Sequence, residues 1–388
     1  MNALTKRIGG LALGHAAADF YLPVIPALLP ALIPLFHEQG IHSYLMTSCL
    51  FTLVMLTMVV FEPLAGLLID KNKFALRITW CILLSAAAIS LYGVTQNYWV
   101  LFVLAIVAGI GNSLYHPNAY LQVNQISGPG NRGTLLAIFS VGGSFGYAAA
   151  PIAAGFLYAW GGFLAVTLLM VPAIVICLII KKQPQVPVPP DPSCAAAEKP
   201  KWGRVSMLLT INSLRFIVYD GLLLFAAVYL TKYCGVEYVF ATGVVTFMLF
   251  AAMFGVILVG PLSDKLGCKE ILIAVYICAA LSYGAIFVFS GTLSLVFLVI
   301  SGFFLMASSS IEVAMIQEFM PGAVGFASGV ITGIPNGVSA FAMLGIGVLA
   351  DYIEVPAALA VLFFLLIAAF VLSVLLPYPM RRTKKNTV

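Results

Sequence analysis

Leu11 to Pro34 reads LALGHAAADFYLPVIPALLPALIP. The run is apolar and long enough to cross a bilayer, for which about 20 residues suffice. Yet it carries His15 and Asp19 in its body and is punctuated by Pro23, Pro26, Pro30 and Pro34. An ionisable side chain inside a membrane helix is costly, and where one occurs it faces a protein interior or a water-filled cavity. Proline removes a backbone hydrogen bond that lipid cannot replace. Together these features predict a helix that lines a cavity, with its polar residues turned inward. Lys6 and Arg7 ahead of the run mimic a signal peptide. The run is too long for such a peptide's apolar region and holds His15 and Asp19, so it reads as an uncleaved first span.

The whole chain shares this character. Of 388 residues, 62% are hydrophobic and 9% charged, against about 25% charged in a soluble domain. No soluble fold buries so much apolar surface, and a lipid bilayer is the expected solvent. The net charge of +5 does not indicate nucleic acid, because the basic residues border the apolar runs. Seven Cys and four His are too scattered for a disulfide framework or a metal cluster, and Cys49, Cys81, Cys177 and Cys278 read as core packing. No metal and no cofactor is expected.

Apolar runs of spanning length fall at roughly 8–36, 43–69, 75–95, 98–124, 133–158, 162–180, 204–232, 238–262, 270–290, 293–317, 324–350 and 355–377. The predicted fold is therefore all-α and integral to the membrane, with twelve transmembrane helices. Of the 19 Lys and Arg, only Lys232 falls on the outer side and only Arg215 inside a span, which leaves 17 on the inner side. Both termini are expected in the cytoplasm. Gln183 to Pro200, QPQVPVPPDPSCAAAEKP, is too proline-rich for a helix and reads as an extended tether. It divides the chain into an N-terminal six-helix half (1–182), a cytoplasmic linker (183–202) and a C-terminal six-helix half (203–388). The halves repeat: Gly66-Leu-Leu-Ile-Asp70-Lys71 closes span two and Gly260-Pro-Leu-Ser-Asp264-Lys265 closes span eight, 194 residues later. Two such halves around a cavity describe a secondary transporter.

The six-linker-six plan and the paired G-x-x-x-D-K loops resemble the major facilitator superfamily over the whole chain. Three stretches look like its fosmidomycin-resistance type of drug efflux transporter: Gly14-His15-x-x-x-Asp19 with the PALLP that follows, Gly109-Ile-Gly-Asn-Ser-Leu-Tyr-His116-Pro117, and Arg132-Gly133 followed by Phe139-Ser-Val-Gly142-Gly143-Ser-Phe-Gly146. Two departures stand out. The first loop motif reads Asp70-Lys-Asn-Lys73 where the family places a Gly before its basic residues. Glu62 stands before Pro63 where the family has Gln. Span five carries Gly142-x-x-x-Gly146-x-x-x-Ala150-Pro151-x-x-Ala154-Gly155. Small residues every four make a smooth packing stripe, and the series resembles the superfamily's antiporter motif with Ala at two Gly positions.

Several residues could carry chemistry. His15 and Asp19 are four apart and share a helix face. An imidazole beside a carboxylate exchanges protons in the physiological range; the bland alternative is a structural pair holding a proline-bent helix. His116 in span four precedes Pro117, near Gly109 and Gly111, whose small size allows close helix approach. It is expected to face Asp19; the alternative is that it only satisfies the ladder that Pro117 breaks. Arg215 and Asp220 in span seven are five apart, about 140° around a helix, and should not pair. Arg215 is the best candidate anchor for an anionic group, or else pairs with Asp19 or Glu312. Glu62 and Glu312, in the cytoplasmic halves of spans two and ten, are further proton candidates. Asp70, Lys71, Arg77, Arg132, Asp264 and Lys265 lie at cytoplasmic helix ends and are candidates for gating contacts, or merely set topology.

No G-x-x-x-x-G-K-[ST] is present, so energy is expected from an ion gradient, and protons suit the His and carboxylate set. An embedded enzyme would need a catalytic constellation, and none is legible. A sensor would need an output domain. The expected function is an alternating-access transporter of the bacterial-type inner membrane, monomeric, binding a small-molecule substrate and protons. It exports small amphipathic compounds by proton antiport or, alternatively, moves a polar anionic or metal-chelating metabolite in either direction.

Overall fold

The computed structural model describes residues 3–70, 77–127, 132–181, 201–320 and 324–380, without the side chains of 3, 66–70, 124, 132, 133, 264, 324–326, 328 and 332. The first apolar run folds as two helices, α1 (Ala3–Asp19) and α2 (Val24–Glu38). Pro23 has no N–H to donate, and the Leu22 N–H turns to the Asp19 carbonyl at 3.3 Å. The Ala18 carbonyl thereby loses its helical donor and accepts instead from Asn112 Nδ2 at 3.0 Å. The proline break thus falls directly after Asp19 and leaves its carboxylate at the end of α1.

The chain continues as α3 (Tyr44–Asp70), α4 (Ile78–Ser90) with a 3₁₀ turn to Gly93, α5 (Tyr98–Ile126), α6 (Arg132–Val166) and α7 (Met170–Ile180). Then follow α8 (Trp202–Val228) with a π turn at Tyr229–Tyr233, α9 (Tyr238–Leu266), α10 (Cys268–Val288), α11 (Thr292–Ala307), α12 (Ser309–Phe319), α13 (Val324–Val361) and α14 (Phe363–Leu375). The described residues contain no strand. Nine helical segments among them are long and apolar enough to cross a bilayer. Two of these, Thr134–Ile180 and Gly329–Leu375, run for 47 residues each, twice the spanning length. The backbone breaks inside both, at Gly161 and Gly162 in α6 and at Glu354 in α13. Gly162 has φ 65°, a left-handed conformation that glycine adopts without steric cost. With these divisions and the shorter apolar helix Ile78–Gly93, the fold is consistent with twelve spans. Large apolar side chains point outward, with Leu164 72%, Leu281 67% and Val288 78% exposed. Water would penalise such a surface and lipid does not.

The chain forms two compact units. The first comprises residues 1–191 together with 230–246, the second residues 192–229 together with 247–388. The tether expected at 183–202 lies outside the described residues except for Lys201 and Trp202, and Trp202 opens α8.

In the first unit α5 is wedged between α3 and α4. A Cβ on Gly109 would collide with Thr57 and the Val54 carbonyl of α3, and one on Gly111 with Ser85 and the Cys81 carbonyl of α4. The same logic joins α6 to α1: Gly142 and Gly146 abut the backbone of Ala12 and Ala16. Further along α6, Gly155 abuts Thr242, and Ile152 N–H, next to Pro151, donates to Thr246 Oγ1 at 3.0 Å. The segment 230–246 is tied in elsewhere too. Lys232 Nζ donates to Tyr44 Oη at 2.8 Å and Tyr238 Oη to the Ala27 carbonyl at 2.8 Å. Glu237 caps α9 by accepting from the Val239 and Phe240 N–H groups, which hold its carboxyl below the ordinary range. The second unit is built on a buried core that includes Leu208, Ile211, Leu272, Tyr276, Ile311, Met315 and Ile331.

Candidate functional site

Asp19, at the end of α1, receives one imidazole on each carboxylate oxygen. His15 Nε2 lies 3.1 Å from Oδ2 and His116 Nε2 lies 3.1 Å from Oδ1. The i,i+4 spacing along α1 brings the first pair together. Asn112 on the Ala18 carbonyl and Tyr115 Oη on the Leu11 carbonyl tie α5 to α1 and bring the second, across 97 residues of chain. The far nitrogens are engaged as well. His15 Nδ1 is 2.8 Å from the Phe139 carbonyl. His116 Nδ1 is 3.2 Å from the Asn112 carbonyl and 3.0 Å from Glu62 Oε1 of α3. The side chains of Asp19 and His116 are 16% and 14% exposed, and that of Glu62 36%, so the cluster is enclosed by protein yet reachable from one side.

Proton bookkeeping follows from the partners. A backbone carbonyl only accepts, so His15 Nδ1 carries a hydrogen. Its Nε2 then either donates to Asp19 as an imidazolium or accepts from a protonated Asp19. The same choice holds at His116. One hydrogen at each of the four ring nitrogens serves the five contacts, with that at His116 Nδ1 shared between the Asn112 carbonyl and Glu62, and two imidazolium and two carboxylate groups sum to zero charge. Removing one proton sets lone pair against lone pair at 3.1 Å and adds a negative charge to an enclosed site. The arrangement can therefore hold and release protons, and each release disfavours the geometry that held them.

The donor atoms of His15, Asp19 and His116 lie within 4.8 Å of one another. Each already has a proton-sharing partner, so their hydrogen bonding requires no metal.

Arg215, Asp220 and Glu312 lie in the second unit. Arg215 is 1% exposed. It donates to Glu312 Oε2 at 3.3 Å, to the Leu305 carbonyl at 2.9 Å and to Asn212 Oδ1. Tyr276 Oη donates to the other Glu312 oxygen at 2.6 Å. Asp220 accepts from Ser339 Oγ at 2.6 Å. Of the two partners weighed for Arg215, the one it meets is Glu312.

Among the gating candidates, Arg77 is exposed at the start of α4 and Lys265 exposed in the last turn of α9. Lys71 and the side chains of Asp70, Arg132 and Asp264 lie outside the described residues. Of the stripe on α6, Gly142, Gly146 and Gly155 sit at close backbone approaches and Pro151 is buried. Two residues of the site stand out in the sequence only as part of a family-like stretch, with no role at the site. Phe139 supplies a carbonyl and stacks its ring on His15, centroids 4.0 Å apart at 16°. Gly143 leaves the space that His15 and Asp19 fill. A carbonyl has no sequence signal; Gly143 stood out only as part of the family-like stretch and as a glycine out of step with the four-residue stripe.

The model of the Major Facilitator Superfamily matches residues 11–343. The chain is 25% identical over 373 residues to the fosmidomycin resistance protein of Escherichia coli (strain K12), covering 90% of this chain and 87% of that one. It is also 25% identical over 373 residues to the uncharacterized MFS-type transporter YfnC of Bacillus subtilis (strain 168), covering 91% and 89%. Among solved structures it resembles a bacterial homologue of the human lysosomal transporter Spinster, in an inward-facing and occupied conformation. There the TM-score is 0.78 and the identity 16%, with 95% of this chain and 96% of that one covered. The nucleoside transporter NupG, as its D323A mutant, gives a TM-score of 0.75 at 11% identity, covering 97% and 100%. The apolar helical fold and the family match over most of its length establish that this chain belongs to the Major Facilitator Superfamily and is a multi-pass membrane transporter, not an enzyme.

Proposed function

We propose that the protein is a proton-coupled exporter of small amphipathic compounds, working by alternating access as a monomer in a bacterial-type inner membrane, both termini cytoplasmic. The observation that carries this reading is Asp19 with an imidazole on each oxygen. Protons enter through Glu62 and His116, the more exposed end of the cluster, and are shared with Asp19 and His15. Loading and release change which contacts on α1, α3 and α5 are satisfied, and those helices respond. Asp19 and His116 also touch substrate, since their side chains keep some exposure. Export is supported by the likeness to a protein named for drug resistance, and fosmidomycin is the first compound to try.

The alternative of a polar anionic cargo relies on Arg215. Its charge is matched inside the second unit by Glu312, so Arg215, like Asp220 on Ser339, meets substrate only once its partner parts. Glu312 serves there as Arg215's counter-ion before it serves as a proton site. Asp70, Lys71, Arg77, Arg132, Asp264 and Lys265 complete the proposal as gating charges at cytoplasmic helix ends.

The test is uptake of a panel of amphipathic compounds, and of the polar phosphonate fosmidomycin, into everted membrane vesicles with and without an imposed pH gradient. The reading expects accumulation that a protonophore abolishes. Accumulation indifferent to the gradient would contradict it.

A further inference from the structure

We propose that α6 sets the proton inventory of the Asp19 cluster through the Phe139 carbonyl and Gly143, which makes both of them positioning residues. The inference rests on reading the cluster as the proton-exchange site. Phe139 and Gly143 are one helical turn apart, so they present the same face of α6 to α1. The Phe139 carbonyl has a second lone pair beyond the one used in the helix ladder. His15 Nδ1–H takes it at 2.8 Å while the two rings stack. A carbonyl cannot return a proton, so His15 Nδ1 is removed from exchange and all exchange at this residue is forced through Nε2, the atom that faces Asp19. This is the role that outer partners play for metal-bound imidazoles, fixing the tautomer and ring orientation; here it is applied to a proton.

Gly143 makes the approach possible. A Cβ at that position would lie 2.6 Å from both Cε1 and Nε2 of His15 and 2.7 Å from Asp19 Oδ2, closer than side-chain atoms pack. Its neighbour Gly142 differs in kind. A Cβ there would strike the backbone of Ala12, so position 142 controls how near the helices come. Position 143 controls what the two functional side chains can do once they are there.

The test is 15N-histidine NMR on the full chain in nanodiscs, with the His15 signals assigned by their loss in His15→Asn. In the wild type, His15 Nδ1 should stay protonated throughout the titration and only Nε2 should change. Gly143→Ala should release His15 into a mixture of tautomers. It should also lower gradient-driven transport on the order of 100-fold, the scale of a displacement of about 1 Å at a reacting group, with abundance preserved. Phe139→Leu, which keeps the carbonyl, should keep the tautomer. If Gly143→Ala does not fold, the wild-type and Phe139→Leu spectra still decide. An exchanging Nδ1 in the wild type, or an unchanged His15 spectrum in a folded Gly143→Ala, would overturn the inference. Neither outcome touches the proton-coupling reading itself, which stands or falls on transport by Asp19 variants.

Discussion

Arg215 reaches Glu312, 97 residues further along the chain, at 3.3 Å, and Asp19 reaches His116, also 97 residues further, at 3.1 Å. Each pair links the first helix of its half of the sequence to the helix of the fourth span, α1 to α5 in the first unit and α8 to α12 in the second. The polarity is reversed: the acid is on the first helix in one unit and on the fourth in the other. The chemistry differs accordingly. Imidazole gives up a proton near neutral pH, whereas guanidinium does not. The repeat therefore carries one tie able to exchange protons and one of fixed charge.

The fixed tie should behave as a buried ion pair. Removing one partner leaves a charge uncompensated in a dry interior, at a cost of about 3–5 kcal/mol. Arg215→Met or Glu312→Leu alone should sharply lower the melting temperature in detergent. The two together should recover much of the loss, since well-packed apolar replacements of buried pairs are often near neutral. A double variant as unstable as the sum of the singles would show that the pair does not act as a unit.

Thr246 offers a hydroxyl to the Ile152 amide beside Pro151. Thr246→Val keeps the shape and removes that acceptor, which should cost about 0.5–1.5 kcal/mol, the net value of one hydrogen bond, while Thr246→Ser should stay close to wild type. Thermal unfolding of the purified protein separates the two.

Gly146 abuts the backbone of Ala16, where nothing can move aside cheaply. Gly146→Val should drive α6 off α1 and lose folded protein, seen as a collapse of the monodisperse peak in size-exclusion chromatography. A normal peak would mean that the stripe tolerates bulk and that the close approach is incidental.

Much of this was legible beforehand because membrane helices declare themselves by length and charge. The apolar runs and the i,i+4 pairing of His15 with Asp19 follow from spacing alone; the prolines announced a bend in the first run, while its division into two helices after Asp19 is seen only in the fold. That His116 would face Asp19 was expected from the glycines beside it, but Gly109 and Gly111 pack α5 on α3 and α4, and the tie to α1 runs through Asn112 and Tyr115. Glu62 was harder to place. Its contact with His116 depends on how α3 rotates against α5, which Gly109 and Thr57 settle by packing. Phe139 and Gly143 stood in a family-like stretch, but their roles at the site could not be read because their contributions are a carbonyl and an absence of atoms. Arg215 could be narrowed only to two partners, since choosing between carboxylates needs the tertiary path of the chain.

The exposed Cys234 reports topology. It follows Lys232, the single basic residue expected on the outer side, so a membrane-impermeant maleimide should label it on intact cells. Labelling only after permeabilisation would invert the proposed orientation.

The central claim is that Asp19 exchanges protons in step with transport. Asp19→Asn preserves size and hydrogen-bonding shape but cannot gain or lose a proton between the two imidazoles. The decisive measurement is pH-gradient-driven accumulation in proteoliposomes of a panel compound that the wild type moves, alongside its gradient-free exchange by the same variant. The account predicts that Asp19→Asn loses accumulation while retaining binding or exchange, and that Asp19→Glu keeps part of both. Accumulation by Asp19→Asn at the wild-type rate would contradict it.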